Sequence, residues 1–246
     1  PTDGEPGATA WVLKVDVFDG HPAGGSGCIA VVGHFDGSRF TSTQSPQWVD
    51  GGRDFYAAIA FGAMPPGDKR CVWLGWMSDH RYAKDTPTPP WRGAMTIPRE
   101  VRLVRRGSEL VLCQRPIAEL DAMRGKPLSV TNQAFGAKPV ELFAPGALPV
   151  AQDIDVEVDA ANAKRWRLAL RCGGSEATFV TVDREAGTLG VDRRASGVDL
   201  RSGSFAGHHT SAWHGARAPL ARLRIVVDAC SVEVFSHDGS AAVTSL

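Results

Sequence analysis

The chain has 246 residues, and its 27 basic and 27 acidic side chains give a formal net charge of zero. A nucleic-acid binder would need an excess of Lys and Arg to neutralise phosphates, so the charge balance argues against that class. No apolar run approaches the roughly 18 residues of a membrane helix, which argues against a membrane partner. The 27 glycines and 16 prolines favour many turns and short strands over long helices.

The two ends of the chain resemble cut ends. The sequence begins at Pro1 without an initiator Met and stops at Leu246 within a strand-like run. We therefore expect a fragment of a longer protein, and the lack of a signal segment then leaves the localisation unknown.

The first half of the chain shows the pattern of short strands separated by turns. Alternating apolar and polar residues predict a strand over 11–17, and the glycine-rich stretch 24–27 precedes an apolar run. That stretch lacks the spacing of a phosphate-binding loop, so we expect a loop that connects strands. Further strands are predicted over residues 54–61, 71–77, 94–97, 101–104 and 110–114. Such spacing is typical of a propeller, barrel or sandwich.

A helix is predicted over residues 117–124, between Pro116 and Gly125. Ile117, Leu120 and Met123 would share its apolar face, and we expect this helix to link two domains. Beyond it, alternation predicts strands over 153–159 and 165–171 and a hairpin over 223–235. One face of each strand is polar, which favours a β-sandwich.

The cysteines and histidines predict no metal site. No cysteine pair has metal-ligand spacing, so we expect all five to be small buried apolar residues. They are Cys28, Cys71, Cys113, Cys172 and Cys230. His208, His209 and His214 lie among Gly, Ser and Thr, which favours a surface loop over metal binding.

The densest group of aromatic and charged residues lies between Trp48 and Arg99. Flat aromatic faces stack on sugar rings and charged groups bind hydroxyls, so a carbohydrate site would use this composition. An aromatic rim that only joins strands would show the same pattern, and the residues alone leave both readings open.

Glycoside hydrolysis usually requires two carboxyl groups that flank the bond. Asp50 and Asp54 are four residues apart, and Asp79 and Glu100 are further candidates. None of them stands in a context that marks a nucleophile or an acid.

Three stretches resemble the later motifs of glycoside hydrolase family 32, which contains invertases, levanases and exo-inulinases. They are DGGRDFYAA from Asp50, LGWMSDHRYA from Leu74 and PTPPWRGAMTIPRE from Pro87. The similarity also extends over residues 11–37, 114–120, 190–197 and 227–235, and so covers essentially the whole chain.

The resemblance implies an all-β fold: the last blades of a five-bladed β-propeller, followed by a β-sandwich. We place the partial propeller at residues 1–119 and the sandwich at residues 120–246, with the linker helix at its start. In this family the catalytic carboxylates lie in WMNDPNG-like, RDP and EC motifs, and none of these motifs occurs here. The chain is therefore expected to be a C-terminal half that carries no catalytic residue and is inactive alone.

The resemblance implies five substrate-binding residues: Asp50, Arg53, Asp54, Trp76 and His80. Asp50 and Arg53 stand where relatives carry an acidic and a basic residue near the sugar. His80 stands where many relatives have Trp. Arg53 stands where Lys is common; the positive charge is kept, but the geometry of the hydrogen-bond donors differs.

Two functions of different classes follow. The first is a retaining β-fructosidase that acts on sucrose, levan or inulin, of which this chain is a piece. The second is a non-catalytic carbohydrate-binding or scaffold protein derived from the same fold. In both, the partner is a fructose-containing oligo- or polysaccharide, and no cofactor is required. Secretion or a periplasmic location is implied by the family, and exposed propeller edges predict association.

Overall fold

The computed structural model describes residues 2–3, 10–160, 162–197, 200 and 203–246. The fold is all-β, with the end of a propeller followed by a sandwich, as the sequence predicts. The propeller strands are β1 (Thr2–Asp3), β2 (Trp11–Val17), β3 (Gly27–Phe35), β4 (Phe40–Thr41), β5 (Gln47–Trp48), β6 (Tyr56–Ala60), β7 (Cys71–Met77), β8 (Ala94–Met95), β9 (Arg99–Arg106) and β10 (Glu109–Pro116). The sandwich strands are β11 (Gln152–Asp159), β12 (Arg165–Gly173), β13 (Glu176–Asp183), β14 (Thr188–Ala195), β15 (His208–Ala212), β16 (Leu220–Val227), β17 (Val232–Ser236) and β18 (Ala242–Ser245).

The propeller part contains two sheets. In one, β3 pairs with β2, β4 and β5, all antiparallel. In the other, β6, β7, β9 and β10 form an antiparallel blade, to which β1 and β8 add short pairings. Ala30 and Val32 of β3 belong to the same buried core as Phe55 and Trp73, so apolar side chains hold the two sheets together.

The sandwich part consists of two four-stranded sheets, in the orders β11-β16-β17-β18 and β12-β13-β14-β15. Its core lies between them and includes Val180 and Val191 of one sheet and Ile225 and Val234 of the other. The predicted hairpin over 223–235 is confirmed, since β16 and β17 are antiparallel partners.

The predicted linker helix is present only as a 3₁₀ helix over Ala118–Met123, and it buries no side chain. Met123 is 82% exposed, so the expected apolar face is wrong. Ion pairs hold this segment instead. Glu119 contacts Arg70 of the propeller part at 2.6 Å, and Asp121 contacts Arg224 of the sandwich at 2.8 Å.

Two sequence predictions about side-chain burial need correction. Cys28 and Cys113 are buried, but Cys71, Cys172 and Cys230 are exposed. Cys172 lies where the β12–β13 register shifts, and Cys230 lies in the turn between β16 and β17. Neither residue therefore has a position in a regular strand that would point its side chain into the core.

The surface loop predicted around His208 and His209 is a strand, β15, which pairs with β14. His209 is buried there, because alternate residues of a paired strand point to opposite faces of the sheet. His214 lies beyond the strand in a 3₁₀ turn, His214–Arg217.

One face of β2 remains apolar and exposed. Trp11, Leu13 and Val15 alternate along it and are all exposed. Association through exposed propeller edges stays a prediction, and this face is where we expect it. None of the described helices has the length and apolar character that crossing a membrane would require.

Candidate functional site

Three aromatic rings converge at one end of the blade. Tyr56 and Trp76 are directly paired residues of β6 and β7, and their ring centroids are 6.3 Å apart. The His80 ring lies 5.1 Å from each of them. Tyr56 and Trp76 are half-buried and His80 is exposed, so the cluster presents ring surface to solvent.

Local backbone features position this aromatic cluster of Tyr56, Trp76 and His80. Ala57 has a φ of 50°, and the β6–β7 register shifts between Tyr56 and Ile59. Such a bulge turns a side chain out of the regular alternation of a strand. Gly93, at a φ of 72°, lies against Trp76, and a Cβ there would approach the indole Nε1 to 2.7 Å.

A buried carboxylate fixes the turn that carries His80. The Asp79 side chain accepts hydrogen bonds from the backbone N–H of Arg81 at 2.8 Å and of Ser26 at 2.9 Å. Gly25 belongs to the glycine-rich loop and lets that loop approach Asp79, since a Cβ at this position would lie 2.1 Å from Oδ2 of Asp79. The glycine-rich loop connects β2 to β3, as predicted, and it also encloses this carboxylate.

Asp50 lies in the interface between the propeller part and the sandwich. Its carboxylate accepts hydrogen bonds from Nη1 of Arg99 at 2.8 Å and from Oγ1 of Thr244 at 2.7 Å. The backbone N–H groups of Gly52 and Thr244 donate to its other oxygen, each at 2.8 Å. Both oxygens are therefore occupied by protein donors.

Asp54 is enclosed in the same interface. It accepts hydrogen bonds from the Tyr82 hydroxyl, from Nη1 of Arg193 and from the backbone N–H of Leu246. Burial, together with the charge of Asp54, raises the pKa of the Tyr82 phenol, which therefore remains a donor. Arg193 stacks on the Phe205 ring, with its guanidinium carbon 3.9 Å from the centroid.

Arg53 joins its own loop to two others by donating to their backbone carbonyls. Its guanidinium donates to the oxygens of Ala23 and Gly24 in the glycine-rich loop, and to Ser204 in the sandwich. Arginine suits this role because its fork of donors reaches several acceptors at once.

Another buried cation, Arg99, was not among the predicted site residues. Its Nη2 donates to Glu233 of β17 at 2.7 Å, and its guanidinium lies between the rings of Phe55 and Phe235. Burial raises the pKa of Glu233, whereas the charge of Arg99 acts in the opposite direction. One feature of the sequence could have indicated a buried ion pair here: Glu233 stands between two valines of a predicted strand.

The structure thus separates the five predicted substrate-binding residues into two groups. Trp76 and His80 belong to the aromatic cluster, while Asp50, Arg53 and Asp54 join the blade to the sandwich. Substrate contact stays a prediction for all five. Within the described ranges, no three His, Cys, Asp or Glu side chains converge as a metal site would require.

Two family models together match nearly the whole chain. The N-terminal domain of glycosyl hydrolases family 32 matches residues 3–116, and the C-terminal domain of the same family matches residues 119–246. The chain belongs to glycoside hydrolase family 32. This chain is 38% identical to the levanase of Bacillus subtilis over 252 residues, and the aligned region covers 100% of this chain and 37% of the levanase.

Fungal relatives show the same partial coverage. The extracellular exo-inulinase of Aspergillus niger is 32% identical over 100% of this chain, which corresponds to 47% of that protein. The crystal structure of exo-inulinase from Aspergillus awamori superposes with a TM-score of 0.79 at 27% identity, over 100% of this chain and 49% of that one. The family 32 chain therefore spans less than half the length of these relatives.

Proposed function

We propose that this family 32 chain is part of a retaining β-fructosidase that acts on sucrose, levan or inulin. In this proposal it supplies one wall of the sugar site and the sandwich that supports it, but no catalytic carboxylate. The names of its relatives, levanase and extracellular exo-inulinase, support a fructan substrate and secretion.

The observation that carries the proposal is the aromatic cluster of Tyr56, Trp76 and His80. Its rings remain accessible at one end of the blade, where flat apolar faces can stack on a furanose ring. The neighbouring Asp79 and the glycine-rich loop hold the cluster in place through buried hydrogen bonds. Rigid support of this kind lowers the entropic cost of binding.

Three of the four candidate carboxylates support the view that this chain alone is inactive. Retaining hydrolysis needs two carboxyl groups about 5–5.5 Å apart on either side of the bond. Asp50, Asp54 and Asp79 are all buried, and each has its oxygens bonded to protein donors. They serve the structure of the chain and are withheld from a glycosidic bond.

The test combines turnover with binding. We expect the purified chain to release no fructose from sucrose, levan or inulin, and to bind an inulin-type tetrasaccharide in isothermal titration calorimetry. Trp76→Ala should weaken that binding, whereas Trp11→Ala on the exposed face of β2 should not. Fructose release by the chain alone would contradict its assignment as a non-catalytic part.

The mass of the protein from its natural source tests the fragment proposal separately. A mass of at least about twice the 26.2 kDa of this chain is expected, given the lengths of the relatives. A native mass of 26.2 kDa with sugar binding intact would instead favour the non-catalytic binding protein.

A further inference from the structure

Phe18 extends the aromatic cluster towards solvent. It follows β2, and its ring lies 4.8 Å from the His80 ring at an interplanar angle of 32°. The side chain is 67% exposed, although a phenyl ring is costly to leave in water. Exposure therefore increases outward along the row, from half-buried Trp76 to exposed His80 and Phe18.

A polar pair flanks these two outer rings. Asp19 and Arg81, the residues next to Phe18 and His80, form an ion pair of 2.8 Å, and their side chains are 70% and 43% exposed. Charged groups that are open to water can accept from and donate to sugar hydroxyls without a large desolvation cost. An apolar ring beside such groups matches the two kinds of surface that a sugar presents.

We propose that Phe18 and His80 form an outer stacking site for a fructose unit of an oligosaccharide, with Asp19 and Arg81 binding its hydroxyls. The proposal rests on the proposed function, because it takes the inner sugar to lie at Tyr56 and Trp76. It adds that the chain distinguishes long fructosides from short ones. A disaccharide fills the inner positions, and only a longer chain reaches Phe18.

A purely structural role of Phe18 would give a different experimental result. If Phe18 served only to fasten its loop to the His80 turn, the ring would stabilise the fold through burial, and its removal would lower the thermal midpoint. A ring that is two-thirds exposed contributes little burial. Its removal should therefore change sugar binding and leave the thermal midpoint unchanged.

The experiment is calorimetric titration of the chain with sucrose and with an inulin-type tetrasaccharide. Phe18→Ala should weaken tetrasaccharide binding by about three- to tenfold, the range of one aromatic contact, and leave sucrose binding unchanged. Phe18→Trp should retain the affinity because it keeps a flat ring. Phe61→Ala is the matched control, since Phe61 is 47% exposed and follows β6.

The outcomes separate this inference from the proposed function. If the chain binds both fructosides and Phe18→Ala matches the wild type for both, the outer site is refuted and the function stands. If Phe18→Ala lowers the thermal midpoint and weakens sucrose and tetrasaccharide equally, Phe18 is structural and the outer site is again refuted. If the chain binds a cello-tetraose as well as the fructoside, the proposed function fails, and the outer site fails with it.

Discussion

The Asp54 carboxylate and the Arg193 guanidinium, 139 residues apart in the sequence, form an ion pair that is shielded from water on all sides. One partner belongs to the propeller part and the other to the sandwich. Two charges in such a place are tolerated only because each satisfies the other and both have further hydrogen bonds. The pair therefore acts as a joint between the two parts.

Loss of the cation from this joint should destabilise the whole chain. Arg193→Met leaves the Asp54 charge buried without its partner, and we expect the free energy of unfolding in urea to fall by about 3–5 kcal/mol. Arg194→Met is the control, because the side chain of that neighbouring Arg is 65% exposed and water screens its pair with Asp192. Equal urea midpoints for the two variants would show that the joint adds no stability.

Close contact between the parts depends on a residue without a side chain. A Cβ on Gly52 would lie 1.9 Å from the carbonyl oxygen of Thr244 in β18. Gly52→Ala should therefore separate the two surfaces and cost about 1–3 kcal/mol of unfolding free energy, as overpacking does. Gly62→Ala, where no atom lies within 4 Å, should leave the urea midpoint unchanged. If Gly52→Ala behaves like Gly62→Ala, the interface is looser than described.

The fold should lose stability in mild acid through His209. This ring is 3% exposed, and neither of its nitrogens has a hydrogen-bond partner in the structure. Burial lowers the pKa of His209 from 6.5 to about 3, and the charges of Arg193 and Arg53 act in the same direction, as do His21 and His208. The unfolded chain therefore takes up this proton at a higher pH than the folded chain, so stability falls as the pH drops from about 6.5 towards about 3.

The measurement is urea unfolding at pH 8 and pH 5. His209 should contribute a loss of about 2 kcal/mol between these values, and His209→Phe should remove that contribution. His214→Phe changes an exposed ring in the neighbouring turn and should leave the pH dependence as it is. An unaltered acid profile in His209→Phe would mean that other groups cause the loss.

Thiol reactivity should divide the cysteines by exposure. At neutral pH a small disulfide reagent should react with Cys71, Cys172 and Cys230 in the folded chain. Cys28 and Cys113 should react only after denaturation, and burial raises the pKa of the Cys28 thiol to about 12, which keeps it protonated. Cys71→Ser should lower the native count by one. Five fast thiols in the native chain would contradict the packing described around Cys28 and Cys113.

Alternation of apolar and polar residues was sufficient to predict strands whose two faces differ. The strand predicted over 11–17 coincides with β2, Trp11–Val17, because its residues alternate, and the apolar run over 71–77 coincides with β7, Cys71–Met77. β15 was missed because Gly, Ser and Thr surround His209 and no apolar alternation marks the strand. The helix over 117–124 failed because ion pairs, rather than an apolar face, position the segment.

The role of the buried charges could not be predicted from local sequence. Asp54 and Arg193 each stand in a polar context that also suits an exposed position or a ligand site. Only the docking of the sandwich on the blade makes them partners. Trp76 and His80, by contrast, lie close in sequence, and their rings meet because the end of one strand and its turn carry both.

The two family models meet between residues 116 and 119, yet buried ion pairs cross that border. Charged side chains from the two sides pair in an interface shielded from water: Asp54 with Arg193, and Arg99 with Glu233. We therefore expect the two halves to depend on each other for stability. A foreign sandwich grafted onto these blades should leave Asp54 and Arg99 buried without these partners unless it brings a cation for the first and a carboxylate for the second.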